Sequence, residues 1–191
     1  MEKTRLKAFS DGVIAIIITI MVLELKVPHG PDMLSLKPLL PVFLSYVMSF
    51  LYVGIYWNNH HHMLQTVKKV NGGILWANLH LLFWLSLVPF VTSRLGENHI
   101  SSLAVALYGL VLLMAALAYW VLQHLIMVSQ GADSTLAKAV TRDIKDKLSL
   151  VLYAIAIAML FYVPWASIGI YVSVALMWIV PVRRIEQMLI D

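Results

Sequence analysis

Long apolar stretches alternate with short polar connectors along the whole chain. A membrane-spanning helix needs about 20 mostly apolar residues. Six segments approach or meet that length, at approximately 6–25, 38–58, 74–93, 100–128, 148–163 and 165–182. The pattern predicts an all-α, multi-pass integral membrane protein in which residues 1–191 form a single repeat of six transmembrane helices.

The fifth and sixth segments are separated only by Pro164. Residues 148–182 contain no charged side chain, and at about 1.5 Å rise per residue they are too long for one crossing. Proline cannot continue a hydrogen-bonded helix from the preceding turn. We therefore expect two helices joined by a tight hairpin.

Basic residues are concentrated on alternate connectors. With six crossings, the N-terminus, the second and fourth connectors and the C-terminus share one side of the membrane. Because cytoplasmic loops carry an excess of Lys and Arg, the distribution predicts that both termini are cytoplasmic. Eleven of the fourteen Lys and Arg residues are on that side, namely Lys3, Arg5, Lys7, Lys68, Lys69, Lys138, Arg142, Lys145, Lys147, Arg183 and Arg184.

Composition supports a membrane protein and excludes several other classes. The chain is 61% hydrophobic and 13% charged, whereas a soluble domain is about 45–50% apolar and 25% charged. The excess of Lys and Arg on one side of the membrane accounts for the pI of about 9.3, so no nucleic-acid partner is expected. The absence of cysteine excludes disulfides and thiolate metal sites.

The first helix combines a polar entrance with an apolar stripe. Arg5, Ser10 and Asp11 precede a stretch, residues 13–23, in which one threonine is the only polar side chain. At about 100° per residue, a stripe forms roughly 130° away from Asp11. Its members are Ile16, Thr19, Ile20 and Leu23. Since a charge near lipid normally has a protein partner, we expect Asp11 to be buried against neighbouring helices. Val22, off the stripe, should also face other helices.

Partners for this entrance are found at the same end of the second and third helices. The second ends in YWNNHHHML, with Trp57 and His60, and the third begins with GGILWANLH, which contains Asn78. Polar groups in a low-dielectric environment persist only when they satisfy one another. We interpret these side chains as a structural polar network that holds three helices together.

Other roles for the histidines were weighed against this interpretation. Consecutive residues on a helix point about 100° apart, so His60, His61 and His62 cannot share one metal ion while the helix continues. No histidine pair is placed to ligate two haems across the bundle. We expect no metal and no cofactor, and a proton relay through Asp11 and a histidine is the remaining alternative.

These motifs together resemble the transmembrane protein 175 potassium channels, which include endosomal and lysosomal channels and bacterial relatives. The resemblance rests on Arg5-x-x-x-Phe9-Ser10-Asp11, the Val27-Pro28 exit, Trp57-x-x-His60, Leu75-x-x-Asn78 and Val88-Pro89-Phe90. It extends over about residues 5–95. Over 96–191 only the general helix pattern is shared.

The resemblance implies a function and a set of site residues. A chain with one Phe-Ser-Asp motif is similar to the single-repeat bacterial form, which implies a homotetramer in the bacterial plasma membrane that conducts potassium ions. In that family the first helix lines the central pore, and Ile16 occupies the narrow point, with Thr19, Ile20 and Leu23 nearby. The implied polar network comprises Arg5, Ser10, Asp11, Trp57, His60 and Asn78.

Two other functions stay open at this stage: an ion- or proton-coupled secondary transporter, and a membrane scaffold that conducts nothing. The sequence contains no TVGYG string suited to a carbonyl filter, so selectivity would depend on an apolar constriction. No nucleophile–base pair or phosphate loop is evident, and we do not expect an enzyme.

Overall fold

The computed structural model describes residues 2–26, 33–97, 101–131, 134, 136–137, 144–160 and 162–179. Within these ranges the regular structure is entirely helical. A short 3₁₀ helix, Met33–Leu39, leads directly into the second long helix. The α-helices are α1 Lys3–Leu23, α2 Leu40–Gln65, α3 Gly72–Ser86, α4 Val88–Glu97, α5 Ser102–Gln130, α6 Lys145–Met159 and α7 Pro164–Ile179.

Four helical segments of the described chain are long and apolar enough to cross a membrane: Lys3–Leu23, Leu36–Gln65, Gly72–Glu97 and Ser102–Gln130. They coincide with the first four predicted spans, and the chain is a multi-pass membrane protein. In place of the last two spans the structure has α6 and α7, of 15 and 16 residues. Residues 180–182 of the sixth predicted span lie outside the described residues.

The third span is not one helix but two, because it is interrupted at Leu87. Pro89 lacks the N–H that would donate to the carbonyl of Leu85, and α3 ends two residues before Val88 begins α4. The side chain of Asn71 caps the start of α3 by accepting from the N–H of Ile74 at 2.9 Å. The predicted span 74–93 lies within Gly72–Glu97, one segment of membrane-crossing length that consists of these two helices.

The hairpin predicted at Pro164 is confirmed, since α6 ends at Met159, α7 begins at Pro164, and the two helices pack side by side. The Ser167 hydroxyl donates to the carbonyl of Ala156 at 2.7 Å and ties them together. α7 also packs closely on α5, where Gly109 leaves room for the buried ring of Tyr171.

The long helices form one bundle with a continuous apolar core. α1 packs against α2, α3 and α4, whereas α5 joins α3 and α4 to the pair α6 and α7. Helix α2 contacts α1 and α4 as well as α7. Each subunit therefore has α1 on one side of α2 and the α5–α7 group on another.

Polar contacts show which helix ends lie at the same end of the bundle. Lys3 donates to the carbonyl of Gln65 at 2.6 Å, and the side chain of Gln130 bonds to the backbone of Lys68 and Lys69. The start of α1, the α2–α3 connector and the end of α5 consequently lie at one end of the bundle. We call this the basic end, because it holds the lysines that the charge distribution assigns to the cytoplasm.

At the opposite end, the ammonium of Lys26 lies 2.6 Å from a carboxylate oxygen of Glu97. That hydrogen bond raises the pKa of Lys26 above its ordinary value. Residues of the sequence analysis that lie outside the described residues are Val27, Pro28, Lys138, Arg142, Arg183 and Arg184.

Candidate functional site

A buried hydrogen-bond chain joins α1, α3 and α2 near the basic end. The amide nitrogen of Asn78 donates to the Ser10 hydroxyl at 2.9 Å, and His60 Nε2 lies 2.7 Å from Asn78 Oδ1. All three side chains are fully buried. The Ser10 hydroxyl in turn donates to the carbonyl of Leu6 at 2.9 Å. Asn78 thus links α1 to α2, because its nitrogen bonds to Ser10 and its oxygen to His60.

This chain of contacts fixes the tautomer of His60. Because Asn78 Oδ1 can only accept, His60 Nε2 must carry the proton. His60 Nδ1 then carries a lone pair, and it is buried without a hydrogen-bond partner in the described part of the chain. A neutral imidazole with one unused acceptor is tolerated more easily than a buried charge.

Asp11 belongs to a second contact, which is more exposed than the first. Its Oδ1 accepts from the indole N–H of Trp57 at 3.0 Å, and its Oδ2 lies 4.0 Å from His61 Nδ1. The Asp11 side chain is about one-third exposed, so the expectation that it is buried within its own subunit is wrong. The carboxylate and Trp57 lie at the outer edge of the α1–α2 contact.

Arg5 is exposed and forms no hydrogen bond with the other five network residues in the described part of the chain. The structure therefore divides the predicted network: Ser10, Asn78 and His60 are joined, Asp11 and Trp57 are joined separately, and Arg5 is apart. The exposed imidazole of His80 accepts from Trp84 on its own helix at 2.9 Å.

The two faces of α1 have different surroundings. The residues Leu6, Ser10, Ile14, Ile17 and Met21 are buried against the bundle. On the opposite face, Ile16 is 58%, Ile20 43% and Leu23 78% exposed. The hydroxyl of Thr19, also exposed, donates to the carbonyl of Ile16 at 2.9 Å. An aliphatic stripe on α1 thus points away from the core of its own subunit.

Val22 does not face other helices of its subunit, contrary to expectation, because it is 45% exposed. Its position about 100° from the buried Met21 places it on the edge of the outer face. The exposed surface of α1 is therefore wider than the stripe that periodicity defined.

A groove of about 620 Å³ runs between α1 and α4. Ile16 and Ile20 form one wall, and Pro89 and Phe90 contribute the other. Glu24, Arg94 and Glu97 line the end that lies farther from the basic end.

Sequence reasoning missed a second buried hydrogen-bond cluster. The Thr92 hydroxyl donates to Ser49 at 2.7 Å, and Ser49 Oγ lies 2.9 Å from the hydroxyl of Tyr108. The cluster joins α2, α4 and α5. The available signal was the pair Ser45 and Ser49, small hydroxyls four residues apart on one face of an otherwise apolar helix.

It also missed a small cavity of about 30 Å³ among α2, α5, α6 and α7. No short motif marks it, because its residues come from four segments of the sequence. The lining residues are Tyr52, Ile55, Tyr56, Asn59, Ala116, Tyr119, Asp146, Ser149, Tyr153 and Trp178. Within the described ranges, no group of three His, Asp or Glu side chains is arranged to hold a metal ion.

Comparison with known proteins places this architecture in a family. The family model "Endosomal/lysosomal potassium channel TMEM175" matches residues 5–89. A potassium channel of Chryseobacterium sp. (strain P1-3) is 56% identical over 189 residues, covering 99% of this chain and 98% of that one. The chain belongs to the TMEM175 family.

A crystal structure of a family member shows that the fold is also that of the TMEM175 family. The structure of a lysosomal potassium-selective channel TMEM175 homolog from Chamaesiphon minutus aligns with a TM-score of 0.80 at 30% identity, covering 95% of this chain and 98% of that chain. The similarity extends beyond the motif-bearing residues 5–89, so α5, α6 and α7 also follow the TMEM175 fold. A TMEM175 membrane protein of this kind is a channel and not an enzyme.

Animal TMEM175 proteins match over a shorter length. The human protein, named an endosomal/lysosomal proton channel, is 35% identical over 81 residues, which is 36% of this chain and 16% of the human one.

Proposed function

We propose that this TMEM175 protein is a potassium-selective channel of the bacterial plasma membrane, in which four subunits place α1 around a central pore. Two bacterial relatives, 56% and 32% identical, are named potassium channels and match over most of both chains. The permeant potassium ion is the substrate, and the function requires no cofactor. Both termini lie in the cytoplasm.

The observation that carries the proposal is the outward stripe on α1. Ile16 and Leu23 are more than half exposed in the isolated subunit, although the opposite face of the same helix is buried. A polar hydroxyl, Thr19, is on the stripe beside them. A pore wall made by symmetric copies of α1 would use this face, and Thr19 would add a hydroxyl to that wall.

Ile16 forms the constriction in this proposal. Four facing aliphatic groups offer water no hydrogen bonds, so passage depends on whether the neck is wetted. The groove between α1 and α4 receives a neighbouring subunit beside this wall. Its apolar walls at Ile20 and Phe90 suit a helix–helix contact between copies.

The buried chain of Ser10, Asn78 and His60 has a mechanical role. Each contact fixes the rotation of α1 about its axis, because Ser10 is at the centre of the buried face. The rotation in turn determines which residues face the pore. Asp11 and Trp57, at the outer edge of the α1–α2 contact, hold the same orientation from a second side.

The test is ion flux through purified protein in liposomes. Ile16→Asn should raise potassium flux and reduce discrimination between potassium and sodium, since amides stabilise water in the neck. Ile155→Asn is the matched control, because Ile155 is 44% exposed on α6, away from α1. It should leave both quantities unchanged.

Other outcomes would contradict the proposal. Equal effects at positions 16 and 155, or no effect at 16, would exclude α1 as the pore wall. Saturable transport coupled to a proton gradient would indicate a secondary transporter. An absence of flux from properly assembled wild-type protein would indicate a scaffold.

A further inference from the structure

The connector between α2 and α3 presents two adjacent lysines at the basic end. Lys68 and Lys69 are exposed, and neither ammonium forms a hydrogen bond or an ion pair within the described part of the chain. The potentials of neighbouring charges add, so two such groups attract an anion more strongly than one does. This connector is therefore a positively charged surface without a counter-charge among the described residues.

The backbone of the connector is held against the end of α5. The N–H of Lys68 donates to Gln130 Oε1 at 2.9 Å, and Gln130 Nε2 donates to the carbonyl of Lys69 at 3.2 Å. Val67, the residue before them, is buried in the core. Both lysines consequently have fixed backbone positions, while their side chains remain exposed.

Trp76 begins an exposed apolar face one turn into α3. Its side chain is 75% exposed, more than that of any other tryptophan in the chain. Its indole N–H forms no hydrogen bond with the described residues. Leu79 and Phe83, which follow on the same side of α3, are also exposed. Tryptophan is enriched where a membrane meets water, because its ring suits an apolar environment and its N–H a polar one.

The order of these side chains along α3 matches the order of the parts of a phospholipid. The lysines precede Gly72, where the helix begins. At 1.5 Å per residue, Trp76 lies roughly 6 Å and Phe83 roughly 16 Å from Gly72 along the axis. A phospholipid likewise has a charged headgroup, then glycerol esters, then acyl chains. Each part would meet a side chain of matching chemistry.

Charge favours an anionic phospholipid over a zwitterionic one. No described carboxylate forms an ion pair with Lys68 or Lys69. A lysine close to an anionic membrane surface strengthens binding to it by about fivefold. A zwitterionic headgroup has no net charge and gains much less from the same two ammonium groups.

We propose that Lys68, Lys69 and Trp76 form a surface that binds the headgroup of an anionic phospholipid on the cytoplasmic side. The lysines pair with the phosphate, and the indole N–H of Trp76 donates to an oxygen of the headgroup or of a glycerol ester. An acyl chain lies along Leu79 and Phe83. This surface concerns the lipid around the protein and does not depend on ion conduction.

The test is a native mass spectrometry titration of the purified, full-length protein in detergent with two phospholipids that have identical acyl chains. Dimyristoyl phosphatidylglycerol is anionic, whereas dimyristoyl phosphatidylcholine is zwitterionic. We expect phosphatidylglycerol to bind more tightly by about fivefold or more. Inorganic phosphate should not displace it, because free phosphate has no acyl chain to contact α3.

Variants localise the bound headgroup. Lys68→Gln and Lys69→Gln should each weaken phosphatidylglycerol binding by about fivefold and leave phosphatidylcholine binding nearly unchanged. Trp76→Leu should weaken the binding of both, since the indole contacts parts that the two lipids share. Lys147→Gln is the matched control and should have no effect. Lys147 is an exposed lysine without an ion pair in the described ranges, on the side assigned to the cytoplasm, but it lies on α6.

Four results would overturn the proposal. Equal affinity for the two phospholipids would exclude recognition of charge, and displacement by inorganic phosphate would indicate a site for a free anion. An equal loss in Lys147→Gln would show that overall positive charge, and not this connector, attracts the lipid. Unchanged lipid binding in Trp76→Leu together with fewer assembled subunits would place α3 against a neighbouring subunit. None of these outcomes bears on whether Ile16 forms the constriction, so the two proposals fail independently.

Discussion

At the scale of single residues, Asn78 has the most connected position among the predicted network residues. Its amide both donates to Ser10 and accepts from His60, and all three side chains are fully buried. Removing a group that satisfies two buried partners leaves both of them without a hydrogen bond. Substitution of Asn78 should therefore lower the stability of the protein more than substitution of Asp11.

Asn78→Leu should lower the free energy of unfolding by about 1–3 kcal/mol, the scale for a buried polar group without its partner. The measurement is thermal or denaturant unfolding of the purified protein. Asn58→Leu is the matched control, because the side chain of half-buried Asn58 forms no hydrogen bond with the described part of the chain. Similar losses at both positions would show that the change of side chain, and not the lost contacts, is responsible.

Asp11→Asn should have a smaller effect, below about 1 kcal/mol, because partly exposed ionic contacts contribute little. Asparagine retains an oxygen that can accept from Trp57. Asp11→Leu removes that acceptor and should reduce stability further. The same unfolding measurement compares the two variants, and an Asn variant as unstable as the Leu variant would indicate that the negative charge itself is required.

The sequence predicts the contacts and the burial of these residues only in part. The contacts of Ser10, Asn78 and His60 follow from their depth in three apolar helices and from the family motif. The exposure of Asp11 and the separation of Arg5 do not follow, since both depend on how closely the ends of α1 and α2 approach. No helical periodicity within one segment encodes that distance.

At the scale of helices, α1 is the best case for prediction from sequence. Rotation of about 100° per residue placed Ile16, Thr19, Ile20 and Leu23 together, and the structure exposes all four. Pro89 indicates a break in the third span but not its position at Leu87, and the aromatic cavity was not predicted. The position of the break depends on how Pro89 competes with continuation of the helix. The cavity depends on the packing of four segments that are separate in the sequence.

Packing between α5 and α7 makes Gly109 sensitive to substitution. A Cβ atom there would overlap the hydroxyl of Tyr171 and lie 2.7 Å from its Cζ. Tyr171 is fully buried, between Tyr108 and Tyr153, so its ring cannot move away easily. Gly109→Ala should cost about 1–3 kcal/mol in stability, as overpacking does.

Gly169→Ala is the control for that experiment, because a Cβ atom on Gly169 would meet no atom within 4 Å. Alanine has a higher helix propensity than glycine, so this variant should be neutral or slightly more stable. Melting temperatures of the two variants decide the matter. If Gly109→Ala melts no earlier than Gly169→Ala, the contact between α5 and α7 is looser than described.

For the whole molecule, the position of the constriction along α1 determines how strongly each stripe residue affects conduction. Leu23 lies roughly 10.5 Å along the helix axis from Ile16, beyond the proposed narrow point. Leu23→Asn should therefore change potassium and sodium flux in the same direction as Ile16→Asn, but less. A larger effect at Leu23 would move the constriction to the C-terminal end of α1.

Assembly provides an independent measurement at the same scale. Native mass spectrometry should give four subunits of 21.5 kDa for the wild type and for Ile16→Asn, because an asparagine in the pore wall leaves the contacts between subunits in place. Asn78→Leu should shift the population towards smaller species, since α1 is then no longer held in one rotation. A dimer in every case would contradict the fourfold pore.

The length of α6 has a consequence for the lipid around the protein. Its 15 residues extend roughly 22 Å at 1.5 Å each, short of the roughly 30 Å hydrocarbon layer of a typical bilayer. In the proposed topology of six crossings, either the membrane thins beside α6 or Lys145 and Lys147, in the first turn of that helix, are drawn inward. We expect the protein to melt at a higher temperature in bilayers of 14-carbon acyl chains than in bilayers of 22-carbon chains. Lys147→Leu should reduce that difference, because leucine lengthens the apolar part of α6.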